Sequence, residues 1–345
     1  MNILFDINHP AHVHLFRNAI QILKQQGHTI VVTARDKDVT LPLLDHYQIP
    51  YRCLSRAKKG MAGLGIELFQ RQMQLLPILL KNKIQICVSV TGACSVHVAK
   101  LLGIPSLIFY DTEHAKLQNS IANPFATAVV TPSAYWGNIG KNHIRYNGVH
   151  DLAYLHPKYF EPNPGILKKL NLRPGQPYVL MRFVAWGAAH DRGHSGISSE
   201  MKRQLIGKLT ALAKIFIVSE APLEKEFEPY RLTLAPWEVL DALAYATLYL
   251  GEGGSMATEA ALQGTPSIFV STLNAGVFEE YQKKYGLMFV FRPDQQAEIF
   301  NTIEYLFRDE QLKEKWRQRR QKFLDEKIDV TEFMVQTILS YARKN

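Results

Sequence analysis

Residues 247–266 read TLYLGEGGSMATEAALQGTP and hold the most concentrated chemistry in the chain. An apolar run ends at Leu250, glycines stand at 251, 253 and 254, and the spacing predicts a helix from Ser255 onward. Glycines in such a turn let the backbone come close to a ligand or take positive φ. The unanswered N–H groups and the dipole of the following helix direct positive potential at the same point, which suits an anion. Ser255 can cap the helix or donate to a phosphate oxygen, and Met256 belongs to the same first turn. Glu259 lies at i+4 from Ser255, on the same face. A carboxylate repels phosphate but accepts hydrogen bonds from the vicinal hydroxyls of a sugar. Phosphate at the helix tip with ribose one turn along is the geometry a nucleoside diphosphate requires. A plain glycine turn with a serine cap and a solvated glutamate accounts for the same residues.

Three further polar clusters follow apolar runs. The first is Asp6-Ile7-Asn8-His9-Pro10-Ala11-His12-Val13-His14. His12 and Phe16 share a helix face while His14 points elsewhere, so a metal held by both histidines is disfavoured. A single histidine acting as general base or phosphate partner fits better, because imidazole titrates near neutrality. An N-cap role for Asn8 or His9 is the structural alternative. The second cluster is Tyr110-Asp111-Thr112-Glu113-His114, whose carboxylates and histidine suit acid–base work or acceptor positioning, or else helix capping. The third starts at Arg182, a guanidinium suited to a pyrophosphate at the end of an apolar strand, and runs through Trp186, His190, Asp191 and His194.

Elements to position these groups are legible on both sides of a proline-rich stretch. Strands are expected at 2–7, 29–34, 84–90, 105–109 and 127–131, with helices at 12–26, 64–81 and 93–102. The pattern then repeats, with strands at 177–182, 214–218, 247–250, 266–271 and 287–291. Helices are expected at 198–212, 236–246, 255–263 and 294–307, and again from 307 to the end. Near-continuous apolar strands alternating with helices predict parallel sheets covered on both faces. Prolines at 157, 162, 164, 174 and 177 mark a boundary between two doubly wound domains facing a cleft, with ligands beyond the strands' carboxyl ends.

Composition narrows the classes. The chain has 345 residues, 47% hydrophobic and 21% charged, with a formal net charge of +9. That excludes disorder and a disulfide scaffold, and it favours an anionic partner. Cys53 and Cys87 lie in runs that read as buried strands, and three cysteines suit a reducing, cytoplasmic compartment. The N-terminus lacks the features of a secretory signal, and no apolar run reaches the length of a membrane span. The segment 56–69, RAKKGMAGLGIELF, suits peripheral contact with the inner face of an anionic membrane; a buried helix after a basic loop explains it as well and is preferred. The basic stretch 316–322 has one aromatic and reads as a solvated helix face, not a nucleic-acid site.

The stretches NHPAHVHLF at 8–16, GIPSLIFYDTEHA at 103–115, YNGVHDLAYLHPKYF at 146–160, WGAAHDRGH at 186–194 and GEGGSMATEAALQGTP at 251–266 together resemble the domain of unknown function 354 family. That family in turn resembles the GT-B superfamily, which implies two Rossmann-like domains. The resemblance implies an acceptor-side domain at 1–155, rejoined by the terminal helix 328–345, and a nucleotide-sugar domain at 156–327. The glycine loop is similar to those of the peptidoglycan N-acetylglucosaminyltransferase and the non-hydrolysing UDP-GlcNAc 2-epimerases. In the transferase the Glu five residues before the Gly of a Gly-x-Pro turn binds ribose; Glu259 stands five before Gly264 in Gly264-Thr265-Pro266.

The expected function is metal-independent transfer of a sugar from a nucleotide diphosphate, UDP-linked, to a polysaccharide, glycolipid or other hydroxyl acceptor, with no separate cofactor. Gly253, Gly254, Ser255 and Met256 would meet the diphosphate, with Arg182 nearby and Glu259 on the ribose. His12, Asp111, Glu113 and His114 are the candidates for acid–base work. The alternatives are a nucleotide-sugar 2-epimerase and a non-catalytic GT-B-fold binding protein.

Overall fold

The computed structural model describes residues 1–58, 60–113, 115–184, 196–219 and 222–342, which divide into two compact units, Met1–Tyr159 with Lys327–Asn345 and Phe160–Glu326. In the first unit the strands are β1 (Asn2–Ile7), β2 (Thr29–Asp36), β3 (Arg52–Arg56), β4 (Ile86–Val90), β5 (Ser106–Phe109), β6 (Ala128–Pro132) and β7 (His143–Tyr146). All pair in parallel, in the order β3-β2-β1-β4-β5-β6-β7. Its helices are α1 (Pro10–Gln25), α2 (Thr40–His46), α3 (Gly60–Lys81), α4 (Ala93–Leu101), α5 (Lys116–Ala122) and α6 (Leu152–Leu155). The chain's last helix, Val330–Ala342, also belongs to this unit.

Side-chain alternation assigns the two faces of this sheet. Phe5 meets Phe16 of α1 at 5.2 Å, and Phe16 meets Phe109. Leu4 and Cys87, partners in register, point the other way into a core with Leu75, Ile78 and Leu79 of α3 and Cys94 and Val98 of α4. Asp6 follows Leu4 by two and so lies under α3. The edge strands β3 and β7 carry polar residues because one of their flanks meets solvent. The same edge position overturns the expectation of a buried Cys53, which is exposed; Cys87 is buried.

The second unit repeats the plan with β8 (Tyr178–Phe183), β9 (Lys214–Ser219), β10 (Leu248–Gly251), β11 (Ser267–Val270) and β12 (Met288–Phe291). These pair in parallel, in the order β12-β11-β10-β8-β9. Around them lie α7 (Ile166–Lys169), α8 (Ser199–Thr210), α9 (Val239–Tyr245), α10 (Gly254–Leu262), α11 (Gly276–Glu279), α12 (Gln296–Arg308) and α13 (Leu312–Glu326). The terminal helix Val330–Ala342 is then α14. Ser198 caps α8 by accepting from the Met201 N–H, and Gly286 ends the helical segment before β12 at φ 62°.

The basic helix α13 is not a fully solvated face. Trp316 is completely buried, and its indole N–H donates to the Leu287 carbonyl, so the aromatic of that stretch is a core anchor. The preferred reading of segment 56–69 as a buried helix also fails. Of its apolar residues, Met61, Leu64, Ile66 and Phe69 are exposed, whereas Glu67 is buried. Among the described residues no helix is long and apolar enough to cross a membrane.

Candidate functional site

In the second unit, β10 ends at Gly251 and α10 begins at Gly254, with Gly253 as its N-cap residue. None of Gly251, Gly253 and Gly254 has positive φ, so the expected conformational reason for these glycines does not hold; close packing requires them instead. A Cβ on Gly251 would lie 2.6 Å from the Arg182 carbonyl oxygen on β8. One on Gly253 would lie 3.0 Å from Cγ of Arg182, and one on Gly254 2.7 Å from the Phe278 ring. The three glycines thus let a strand end, a guanidinium stem and an aromatic ring converge on one helix tip.

No side chain caps that tip, which corrects the expectation of a Ser255 cap. Ser255 is exposed, and Gly253, Gly254 and Met256 are half-buried, so the first turn opens to solvent. The Ala257 N–H is bonded to the Gly253 carbonyl, and the N–H groups before it have no acceptor one turn back. Arg182 stands opposite Gly251 in register, at the carboxyl end of β8. Glu259 is half-buried one turn further on α10.

Two residues that sequence reasoning passed over organise this loop. Tyr249 is fully buried, and its hydroxyl donates to the Gly253 carbonyl at 3.0 Å. Burial pushes its phenol far up, Arg182 opposes this, and Glu259 and Glu252 add to it, so these three charges surround one ring. Glu252 is buried and accepts from the Val184 N–H at 2.8 Å and the Ile197 N–H at 2.5 Å. The only sequence sign of Glu252 is a carboxylate set among glycines. Trp186, His190, Asp191 and His194 lie outside the described residues.

The first unit gathers a different kind of site. Asp6 is fully buried at the carboxyl half of β1, where register puts Thr33 of β2 beside it. It accepts from the Thr33 hydroxyl at 2.9 Å and pairs with Arg71 of α3 at 2.9 Å. Burial works against the Arg71 charge, but Asp6 foremost, with Glu67, outweighs it. Arg71 also donates to the Asn8 side-chain oxygen, which fixes the turn before α1.

That turn sets the tautomer of His12. The Asn8 backbone N–H donates to its Nδ1 at 3.2 Å. Desolvation holds His12 well below its ordinary imidazole value, and His9, His150, Lys37 and Arg71 add to the effect. A neutral imidazole whose Nδ1 accepts carries its proton on Nε2, so His12 here is a donor. His9 takes the capping role, accepting from the Ala11 N–H at 3.2 Å. His14 is a core residue, stacked on Tyr154 and pushed by burial to about 3.

Asp111 lies just past β5 with its side chain about one-third exposed, 3.4 Å from Nδ1 of His150. Thr112 donates to its other oxygen at 3.1 Å, so neither residue caps a helix; α5 starts only at Lys116. Burial lowers His150 and Asp111 opposes that, while Nε2 of His150 is buried without a hydrogen-bond partner. The buried Tyr146 ring lies parallel to the His150 ring at 6.4 Å. Glu113 accepts from the Trp136 N–H at 3.2 Å and so ties two loops together. His114 lies outside the described residues. Among the described residues no group of three or more His, Cys, Asp or Glu is arranged to hold a metal ion.

The chain belongs to the family described as protein of unknown function DUF354, whose model matches residues 1–343. It is 24% identical over 279 residues to an uncharacterized protein of Methanocaldococcus jannaschii, covering 78% of this chain and 81% of that one. Its fold is similar to that of UDP-GlcNAc 2-epimerase from Neisseria meningitidis bound to UDP-GlcNAc, with TM-score 0.71, 12% identity and coverage of 99% of this chain and 100% of that one. It is also similar to the calicheamicin glycosyltransferase CalG4, with TM-score 0.59, 15% identity and coverage of 99% and 98%. Two parallel-sheet α/β units with these neighbours make a GT-B-type fold.

Proposed function

We propose that this DUF354 chain is an enzyme acting on a nucleotide-diphosphate sugar, held by the unit of residues 160–326, and that it transfers the sugar to a hydroxyl acceptor. The observation that carries this reading is the solvent-open tip of α10, which no side chain caps, with Arg182 at its rim and Glu259 one turn along. The diphosphate would take the N–H groups of Gly254, Ser255 and Met256, a ready anion site that also stabilises the diphosphate as it leaves. Glu259 would accept from the ribose hydroxyls. UDP is the expected nucleotide, because the fold neighbours include a protein bound to UDP-GlcNAc.

In the first unit Asp111 is the group proposed to take the acceptor proton, since its carboxylate is partly exposed and backed by His150. His12, protonated at Nε2, donates instead of accepting, and Asn8, Arg71 and Asp6 hold it in that form. A polysaccharide or glycolipid is the acceptor class proposed. Titration calorimetry with a panel of nucleoside diphosphates tests the donor half. Tight binding of one of them, weakened by Glu259→Ala, is expected; failure to bind any removes the proposal.

A second reading is 2-epimerisation of the same donor, favoured by the higher TM-score to the epimerase than to the glycosyltransferase, 0.71 against 0.59. Incubation with UDP-GlcNAc alone separates the two, because only an epimerase forms the 2-epimer without an acceptor.

A further inference from the structure

The first half of helix α3 is inverted relative to an ordinary surface helix, whereas Leu75, Ile78 and Leu79 of its second half face the core. Its inward face carries Glu67 and Arg71, both buried, above the carboxyl ends of β1 and β2. Arg35 donates to both Glu67 oxygens at 2.6 and 2.7 Å, Ser55 and the Lys58 N–H add two more bonds, and Arg71 pairs with Asp6. Burial alone would raise the Glu67 carboxyl, but these bonds pull it down to about 2. Its outward face is mainly apolar and uncharged, with Gln70 and Gln74 the exposed polar residues between the apolar ones. Ile66, Phe69, Met73 and Leu80 are exposed by 55%, 62%, 55% and 60%, and they follow one another at spacings of three, four and seven, which keeps them on one stripe.

The neighbouring helices extend that surface. Gln72 of α3 bonds to His97 of α4, and His97 in turn contacts the Ile121 carbonyl and the Phe125 ring. Leu101, Leu117, Ile121 and Phe125 are all exposed. Solvated proteins rarely leave so many large apolar side chains together unless something covers them. The charges are as one-sided as the hydrophobicity. Lys58, Lys81, Lys100 and Lys116 are exposed, while Glu67 is the sole carboxylate in Gly60–Lys81, Ala93–Leu101 and Lys116–Ala122, and it faces inward.

We propose that this face, centred on Ile66, Phe69 and Met73, docks the first unit onto an anionic phospholipid surface. The apolar stripe enters the headgroup boundary, and the lysines of this face meet lipid phosphates. A second copy of the chain is the competing occupant. A self-complementary contact would set these lysines against their own copies with no outward carboxylate to answer them. The inference does not depend on the catalytic reading, since no residue of the two sites lies on the outward face.

The test is co-sedimentation of the full chain with vesicles of phosphatidylcholine alone and of phosphatidylcholine mixed with phosphatidylglycerol. Binding to the mixed vesicles only, reduced by added salt, is expected. Ile66→Ser/Phe69→Ser/Met73→Ser should cut partitioning at least about tenfold while the chain keeps a cooperative thermal transition, because the side chains removed are more than half exposed. Lys100→Glu/Lys116→Glu, which leaves the apolar stripe intact, should abolish the preference for anionic lipid. Absence of the wild-type chain from the vesicle pellet, or equal binding by the triple variant, overturns the proposal. A dimer that the triple variant dissolves, without vesicle binding by the wild type, assigns the face to a second copy instead.

Discussion

The two units reach a polar site by opposite means. In the second, the groups at the tip of α10 are backbone N–H groups freed by three glycines within one loop, with one arginine from the adjacent strand. In the first, Asp6, Thr33, Arg71, Asn8, His12, Asp111 and His150 arrive from seven separate elements or loops; hydrogen bonds link the first five, and Asp111 pairs with His150. A backbone site tolerates change in most side chains around it and fails when space is taken. A side-chain network fails when one charge is left without its partner.

That contrast can be pressed experimentally, starting where the effect is largest. Arg71→Met strands a fully buried Asp6 charge and should cost about 3–5 kcal/mol of stability, read from the denaturant midpoint. An unchanged midpoint would mean that the first unit's network does not support its fold. Asp111→Asn should lower turnover by about a hundredfold or more, with donor affinity unaltered, in a sugar-release assay. Glu259→Ala should weaken nucleoside diphosphate binding by about tenfold to a hundredfold in calorimetry, the loss of charged hydrogen bonds worth about 1.5–3 kcal/mol.

The remaining test concerns pH. His14 is held at about 3 in the folded chain against 6.5 when unfolded, so below 6.5 the unfolded state binds a proton that the native state refuses. Stability therefore falls as pH drops from 6.5 toward 3, by about 1.4 kcal/mol per unit for this residue. His12, His143 and His150 are also lowered and act in the same direction. His14→Phe should make the acid slope shallower by about one proton, measured by denaturation at several pH values.

The parts legible in the sequence are those that contiguous residues encode. The strand–glycine–helix unit around residue 254 and the periodic helices Gln296–Arg308 and Val330–Ala342 follow from local pattern alone. The edge strand β7 was illegible as part of a sheet, and the run around Cys53 reads as a buried strand although β3 is an edge, because one flank of each meets solvent and alternation of apolar residues is lost. Arg71 and His150 were missed because their partners lie 65 and 39 positions away, at Asp6 and Asp111. The exposed stripe on α3 was misread for a related reason. Helical periodicity tells that one face is apolar, and only the buried Glu67 and Arg71 reveal which way it turns.

The return of α14 to the first unit bears on the order in which the protein can mature during synthesis. Val330, Met334, Val335 and Ile338 are buried there, and the Thr331 hydroxyl donates to the Ala153 carbonyl at 2.7 Å. Residues 1–159 emerge from the ribosome before residues 160–326, yet their core stays open on that side until residue 342 has been made. Residues 160–326 are continuous and can close while the earlier segment still waits for its last piece. A nascent chain stalled anywhere before α14 would therefore present its N-terminal half, not its middle, to chaperones and proteases.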